Sequence, residues 1–143
     1  MSKIKAGAAV VDISPTDSQF LFGYPHVERY SEGIHDHLYS SAFYISDGKT
    51  EVCFISNDII FVSKEIVGKA REGIKEKAGI EPGNILISAT HTHSGPLTMN
   101  YASNKNDPVV PKADQKYVDF LTNSIIEAAV EAKEKAVEAK LGL

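Results

Sequence analysis

The chain has 143 residues, 43% of them apolar, enough to bury one sizeable core and to make a single domain the expectation. Its net charge of -4 is spread thinly and its basic residues are scattered, which excludes a phosphate-tracking surface and hence nucleic acid as a partner. No apolar run reaches the roughly 20 residues that a membrane-spanning helix needs, and Met1-Ser2-Lys3-Ile4-Lys5 lacks the apolar stretch of a signal peptide. The expectation as the sequence stands is a soluble, cytoplasmic protein, secreted or periplasmic if a leader precedes it.

Residues 4–13 read as a strand ended by Pro15, whose ring removes a backbone donor and fixes a turn. A loop follows over roughly 15–36, punctuated by Pro15, Gly23, Pro25 and Gly33, long enough to bind or cover something. The apolar runs 38–46 and 49–57 are joined by Asp47-Gly48, a dipeptide suited to the positive φ angles of a hairpin turn. A two-residue loop places Ser46 opposite Lys49 and, further along, His37 opposite Asp58.

Ser63 is placed to cap a helix over 63–78, with an apolar stripe of Ile66, Val67, Ala70 and Ile74 and with Gly79 as its stop. Asn84 to Ser88 reads as a strand. A strand, helix and strand of these lengths form a right-handed crossover, which makes the strands at 50–57 and 84–89 parallel. Their unbroken runs, Val52 to Ile55 and Ile85 to Ile87, predict burial on both faces. A second long loop, roughly 94–113, holds Pro96, Asn100, Asn104, Asn106, Pro108 and Pro111, a composition that predicts limited packing. The last element is a helix over about 114–139, striped by Tyr117, Val118, Leu121, Ile125, Ala128, Ala129 and Ala132, with a weakly packed final third. The fold class is α/β: a mixed, largely buried sheet with a β-hairpin, a strand-helix-strand crossover and a long C-terminal helix. Cys53 lies in an apolar run and reads as a small buried hydrophobe.

In open α/β sheets, ligands bind beyond the carboxyl ends of the parallel strands. Those ends deliver Asp58 and the pair His91 and His93, and the hairpin brings His35-Asp36-His37 to the same edge of the sheet. Four of the five histidines thus converge with two aspartates. Imidazole and carboxylate are the ligand types that suit zinc, and an open coordination position lets zinc acidify a water and polarise a carbonyl. Histidines two apart in an extended segment point to one side, so His91 and His93 either share a metal or divide into a ligand and its support. Taken singly, each feature has a plainer reading: surface histidines, a turn aspartate at Asp58, and a polar strand entry at His35-Asp36-His37.

Three blocks, Ala6-Gly7-Ala8-Ala9-Val10-Val11-Asp12-Ile13-Ser14-Pro15, Gly33-Ile34-His35-Asp36-His37-Leu38-Tyr39 and Ile85-Leu86-Ile87-Ser88-Ala89-Thr90-His91-Thr92-His93-Ser94-Gly95-Pro96, resemble the N-terminal domain of the neutral/alkaline non-lysosomal ceramidase family. The resemblance runs over nearly the whole chain, and the third block is the most specific. It implies a zinc-dependent amidase that splits the N-acyl bond of ceramide into sphingosine and fatty acid. It further implies that His91 ligates zinc, that His93 is a ligand or partner needed for activity, and that Asp58 matches an acidic position after the second core strand.

The family's other zinc ligands, a histidine, a glutamate and a tyrosine, come from later segments, which makes this chain either a fragment or a site completed by Asp58, His35 and Asp36. The family more often has proline at the position of His37. The expected function is hydrolysis of an amide bond in a lipid or other small molecule. The alternatives are an incomplete module that binds metal or a partner, with self-association through uncovered apolar faces, and a metallohydrolase of an ester or phosphate.

Overall fold

The computed structural model describes residues 4–24, 26–100 and 107–142. Pro25, Asn104 and Asn106, which contribute to the two long loops, lie outside these residues. Strand β1 (Lys5–Asp12) is followed by the hairpin β2 (Tyr39–Ser46) and β3 (Glu51–Asn57), helix α1 (Lys64–Ala78), strand β4 (Ile85–Ala89), helix α2 (Gln115–Glu134) and a short β5 (Val137–Glu138). The sheet order is β4-β3-β2-β1-β5, with β3 and β4 parallel across the α1 crossover and the other pairs antiparallel.

Helix α1 begins where the Ser63 side chain accepts from the Ile66 amide and ends at Gly79, whose φ of 70° closes the last turn. Helix α2 starts with Asp114 accepting from the Lys116 amide. It lies across β1, β2 and β3 and packs beside α1. The α2 stripe of Tyr117, Leu121, Ile125, Ala128, Ala129 and Ala132 meets Ala42, Tyr44, Cys53 and Ile55 from the sheet and Ile66, Ala70 and Ile74 from α1 in one core. Truncating a fully buried isoleucine such as Ile125 costs about 2–5 kcal/mol in such a setting. The close crossing of α2 over β1 depends on Gly7, because a Cβ there would sit 2.0 Å from the Ala132 carbonyl oxygen.

Three expectations change. The long helix stops at Glu134 rather than near 139, because the chain turns at Lys135 and pairs Val137 and Glu138 with Ala6 and Lys5 at the sheet edge. The hairpin register is shifted: Ser46 faces Glu51 and Ser40 faces Asn57. The turn is centred on Gly48-Lys49, since the Asp47 carboxylate accepts from the amides of Lys49 and Thr50 and the one positive φ falls at Gly48. The parallel strands are buried on one face only. Buried residues alternate with exposed ones along β2 and β3, and Val10, Phe43, Phe54 and Leu86 stand open on the face opposite the helices, Phe54 at 46% and Leu86 at 52% exposure. The apolar runs therefore belong to strands with an apolar residue on each side, only one of which the described residues cover. Cys53 is buried, as expected, and burial pushes its thiol up to about 11.

Candidate active site

One end of the sheet gathers the carboxyl ends of β1, β3 and β4 and the start of β2, as the pairings Asp12 with Tyr39, Ser40 with Asn57 and Asn57 with Ala89 show. Asn57, fully buried at the end of β3, binds the exit of β4 to it: its carbonyl accepts from the Thr90 amide at 2.9 Å and its side-chain amide donates to the Ser88 carbonyl at 2.9 Å. The chain leaving β4 is then held over β3's continuation, with the His91 amide donating to the Ile59 carbonyl at 3.1 Å.

His91 adopts φ of 65°, a left-handed conformation that a side-chain-bearing residue occupies at a cost. Its Nδ1 lies 2.9 Å from the Ile60 carbonyl oxygen. A carbonyl only accepts, so Nδ1 is the donor, and in the neutral ring Nε2 keeps its lone pair. The imidazole sits edge-on between Phe61, with centroids 4.8 Å apart, and His93, 5.1 Å away, and His93 is followed by Tyr24 at 5.2 Å. Four rings thus form a row, and its outer members, Tyr24 and Phe61, are largely exposed.

Asp58 sits directly beneath this segment, with Gly95 packed over its carbonyl oxygen. Its amide donates to the Tyr39 carbonyl and its carboxylate accepts from the Tyr39 amide at 3.0 Å, so the side chain extends the β2–β3 ladder. The shifted register puts Tyr39, not His37, beside Asp58.

The His35-Asp36-His37 segment reaches the expected end of the sheet but on its far side. His37 binds the Asp12 carboxylate through Nδ1 and lies 3.4 Å from the Ser14 hydroxyl. Burial alone would raise the Asp12 carboxyl, but hydrogen bonds from Ser14 and His37 outweigh it and hold the group below its ordinary value. His35 pairs with its neighbour Asp36 at 2.8 Å in solvent, and that partner raises its pKa. β1 and β4 are separated by three strand spacings, roughly 14 Å, which is why these residues do not join His91. Among the described residues, no three histidine, cysteine or acidic side chains are grouped to hold one metal ion.

Several contributors were not legible in the sequence. Residues 19–24 and 26–31 fold back on each other, with the Leu21 amide donating to Arg29 and Ser31 to Gln19, and they zip onto the histidine segment through Phe22 to Gly95 and Leu97 to Phe20. Phe20, Phe22, Ile60 and Leu97 form a second small core beneath. This excursion delivers Gly23, Tyr24 and Arg29 to His93. Arg29 is one of only two arginines in the chain, the single sequence signal that marked it.

The architecture and the histidine pair define an α/β domain with an imidazole donor exposed past the end of a parallel strand. The chain belongs to the neutral/alkaline non-lysosomal ceramidase N-terminal family, whose model matches residues 5–143. It is 31% identical over 94 residues to neutral ceramidase 3 of Arabidopsis thaliana, 63% of this chain and 13% of the relative. It is 26% identical over 120 residues to the neutral ceramidase of Pseudomonas aeruginosa, 81% of this chain and 17% of the relative. The crystal structure of neutral ceramidase from Pseudomonas aeruginosa superposes with a TM-score of 0.80 at 22% identity, over 96% of this chain and 22% of that one. A ceramidase complexed with C2 gives a TM-score of 0.81 at 21% identity with the same coverage. The chain therefore spans about a fifth or less of the relatives it matches, and the likeness to the solved structures extends to the fold.

Proposed function

We propose that the chain contributes part of the active site of a zinc-dependent amidohydrolase acting on an N-acyl lipid such as ceramide, with His91 as the metal ligand through Nε2. The observation that carries the reading is the Nδ1–H bond from His91 to the Ile60 carbonyl. Metal-ligating histidines characteristically donate their other ring nitrogen to a carbonyl or carboxylate, which fixes the tautomer and raises the basicity of the donor atom. The exposed position and the strained φ of His91 fit the same role, since strain of this kind persists where the surroundings impose it for function.

When bound, zinc supplies Lewis acidity toward the amide carbonyl and lowers the pKa of a water. The residues here provide the frame for that chemistry. His91 would hold the metal through its fixed ring, and His93, its ring 5.1 Å away, would share the metal or support the first histidine. Asp58 fixes the backbone under both. The Phe61 and Tyr24 rings, exposed at the two ends of the row, offer apolar surface to the hydrocarbon part of an N-acyl substrate. Two imidazoles are one donor short of the three that a catalytic zinc takes from protein, and the described residues group no third. That observation favours a second reading, a metal-binding module that does not itself turn over an amide.

Zinc content and hydrolysis of a short-chain N-acyl-sphingosine, each with and without chelator, separate the two. Chelator-sensitive release of fatty acid that disappears in His91→Ala supports the enzyme. Stoichiometric zinc without turnover supports the module, and absence of zinc with no effect of His91→Ala defeats both.

A further inference from the structure

We infer that Arg29 is a positioning residue for His93, acting with Tyr24 and Gly23 as a three-sided bracket; the inference rests on the reading above that His93 serves the site. The Arg29 Nη2 donates to the His93 carbonyl at 3.1 Å. Its guanidinium carbon lies 4.8 Å over the centre of the Tyr24 ring, and that ring meets the His93 imidazole edge-on at 5.2 Å. On the remaining side is Gly23, at φ 142°, where an added Cβ would fall 2.5 Å from His93 Cγ.

Backbone, ring edge and ring base of one histidine are thus held by three residues from a seven-residue stretch, Gly23 to Arg29. Two of the contacts are of a kind that fixes orientation, and the guanidinium makes both of its own at once. Its flat fork donates in plane while its face stacks on tyrosine, a combination a lysine ammonium does not reproduce. A residue serving only the loop's stability has no need to reach the His93 carbonyl, because the loop already closes through its own amides at Leu21 and Ser31. His91 is held separately, by Ile59 and Ile60 from β3's continuation, so the two histidines have independent supports.

The test is the imidazole NMR spectrum of the metal-free full chain, with core methyl signals and Tm as controls. In Arg29→Gln, the His93 ring protons are expected to shift and broaden by more than their linewidths, with smaller shifts at the adjoining His91 ring, while the core methyls and Tm stay put. Arg29→Lys, which keeps the charge, is expected to behave like Arg29→Gln. If zinc binds the wild-type chain, its affinity falls about 10-fold in Arg29→Gln, the loss usual when an outer partner of a ligand is removed.

Unchanged His93 signals in Arg29→Gln, full restoration by Arg29→Lys, or His93 changes that track a fall in Tm would each overturn the inference. Should Arg29→Gln fail to fold, Tyr24→Leu removes the middle of the bracket and makes the same forecast. A wild-type chain that takes up no zinc overturns the metal reading alone, because the metal-free spectra still decide this one.

Discussion

His91 is the place to separate folding from function, because its backbone conformation and its ring make opposite demands. At φ 65° any residue with a Cβ is strained by about 1–2 kcal/mol, and glycine is not. His91→Gly therefore regains about 1 kcal/mol of strain. It loses the bond to Ile60, worth about 1 kcal/mol. It also loses ring contacts with Phe61 and His93, worth roughly 0.5–1.5 kcal/mol, and the added freedom of the unfolded glycine costs about 0.5–1 kcal/mol. The net loss is about 1–2.5 kcal/mol, at or below the low end of a core truncation. His91→Ala loses the same ring and keeps the strain but is spared glycine's unfolded-state cost, so it falls only about 0–0.5 kcal/mol below His91→Gly, whereas in a helix alanine exceeds glycine by about 1 kcal/mol. Urea unfolding of the three proteins reads both differences. Alanine more stable than glycine by about 1 kcal/mol, their order in a helix, would show that the left-handed backbone is not imposed, and a loss above about 3 kcal/mol for His91→Gly would make the ring a structural keystone rather than a functional one.

The bracket makes a simpler forecast: Gly23→Ala, with its Cβ driven toward His93 at a positive φ, destabilises by about 1–3 kcal/mol, measurable as a drop in Tm. Away from the site, Glu51 accepts from Lys133 at 2.7 Å and from the Tyr44 hydroxyl. Burial opposes its charge, but those hydrogen bonds outweigh burial and hold its pKa down, while burial and the Glu51 contact push Tyr44 up to about 12. A depressed carboxylate contributes stability above its unfolded pKa, about 4.3, and loses it as pH falls through the lower folded value. Lys133→Met should therefore flatten the acid limb of the stability profile, as seen in urea midpoints between pH 2 and 6, and an unchanged slope would remove the pair from the account. If the apolar row on the open sheet face drives self-association, Phe54→Lys, which puts a charge in its middle, leaves the fold intact and lowers concentration-dependent association in sedimentation.

Local chemistry carried most of the fold into the sequence. Ser63 and Gly79 marked the ends of α1, and the α2 stripe named the core because helical periodicity survives in composition. Two things did not carry. The Asp47-Gly48 dipeptide signalled a hairpin but not its centre, since moving the turn by one residue, and with it the pairing by two, rests on whether the Asp47 carboxylate binds the amides after it. That shift put Tyr39 rather than His37 beside Asp58. Apolar runs in β3 and β4 likewise revealed hydrophobicity on both faces but not what covers each face. At the site, His91 and His93 were visible as a motif, whereas their supports, the Ile60 carbonyl and the Arg29 guanidinium, are a backbone atom and a lone side chain from distant segments, which no periodicity announces.

The central claim is that His91 offers Nε2 to zinc while Nδ1 holds its proton against Ile60. Long-range nitrogen-proton correlation of the histidine rings, recorded before and after one equivalent of zinc, tests it directly. The account predicts that His91 is the Nδ1-protonated tautomer without metal and that its Nε2 resonance moves on zinc addition. A His91 protonated on Nε2, or zinc-induced shifts confined to His35 and His37, would contradict it.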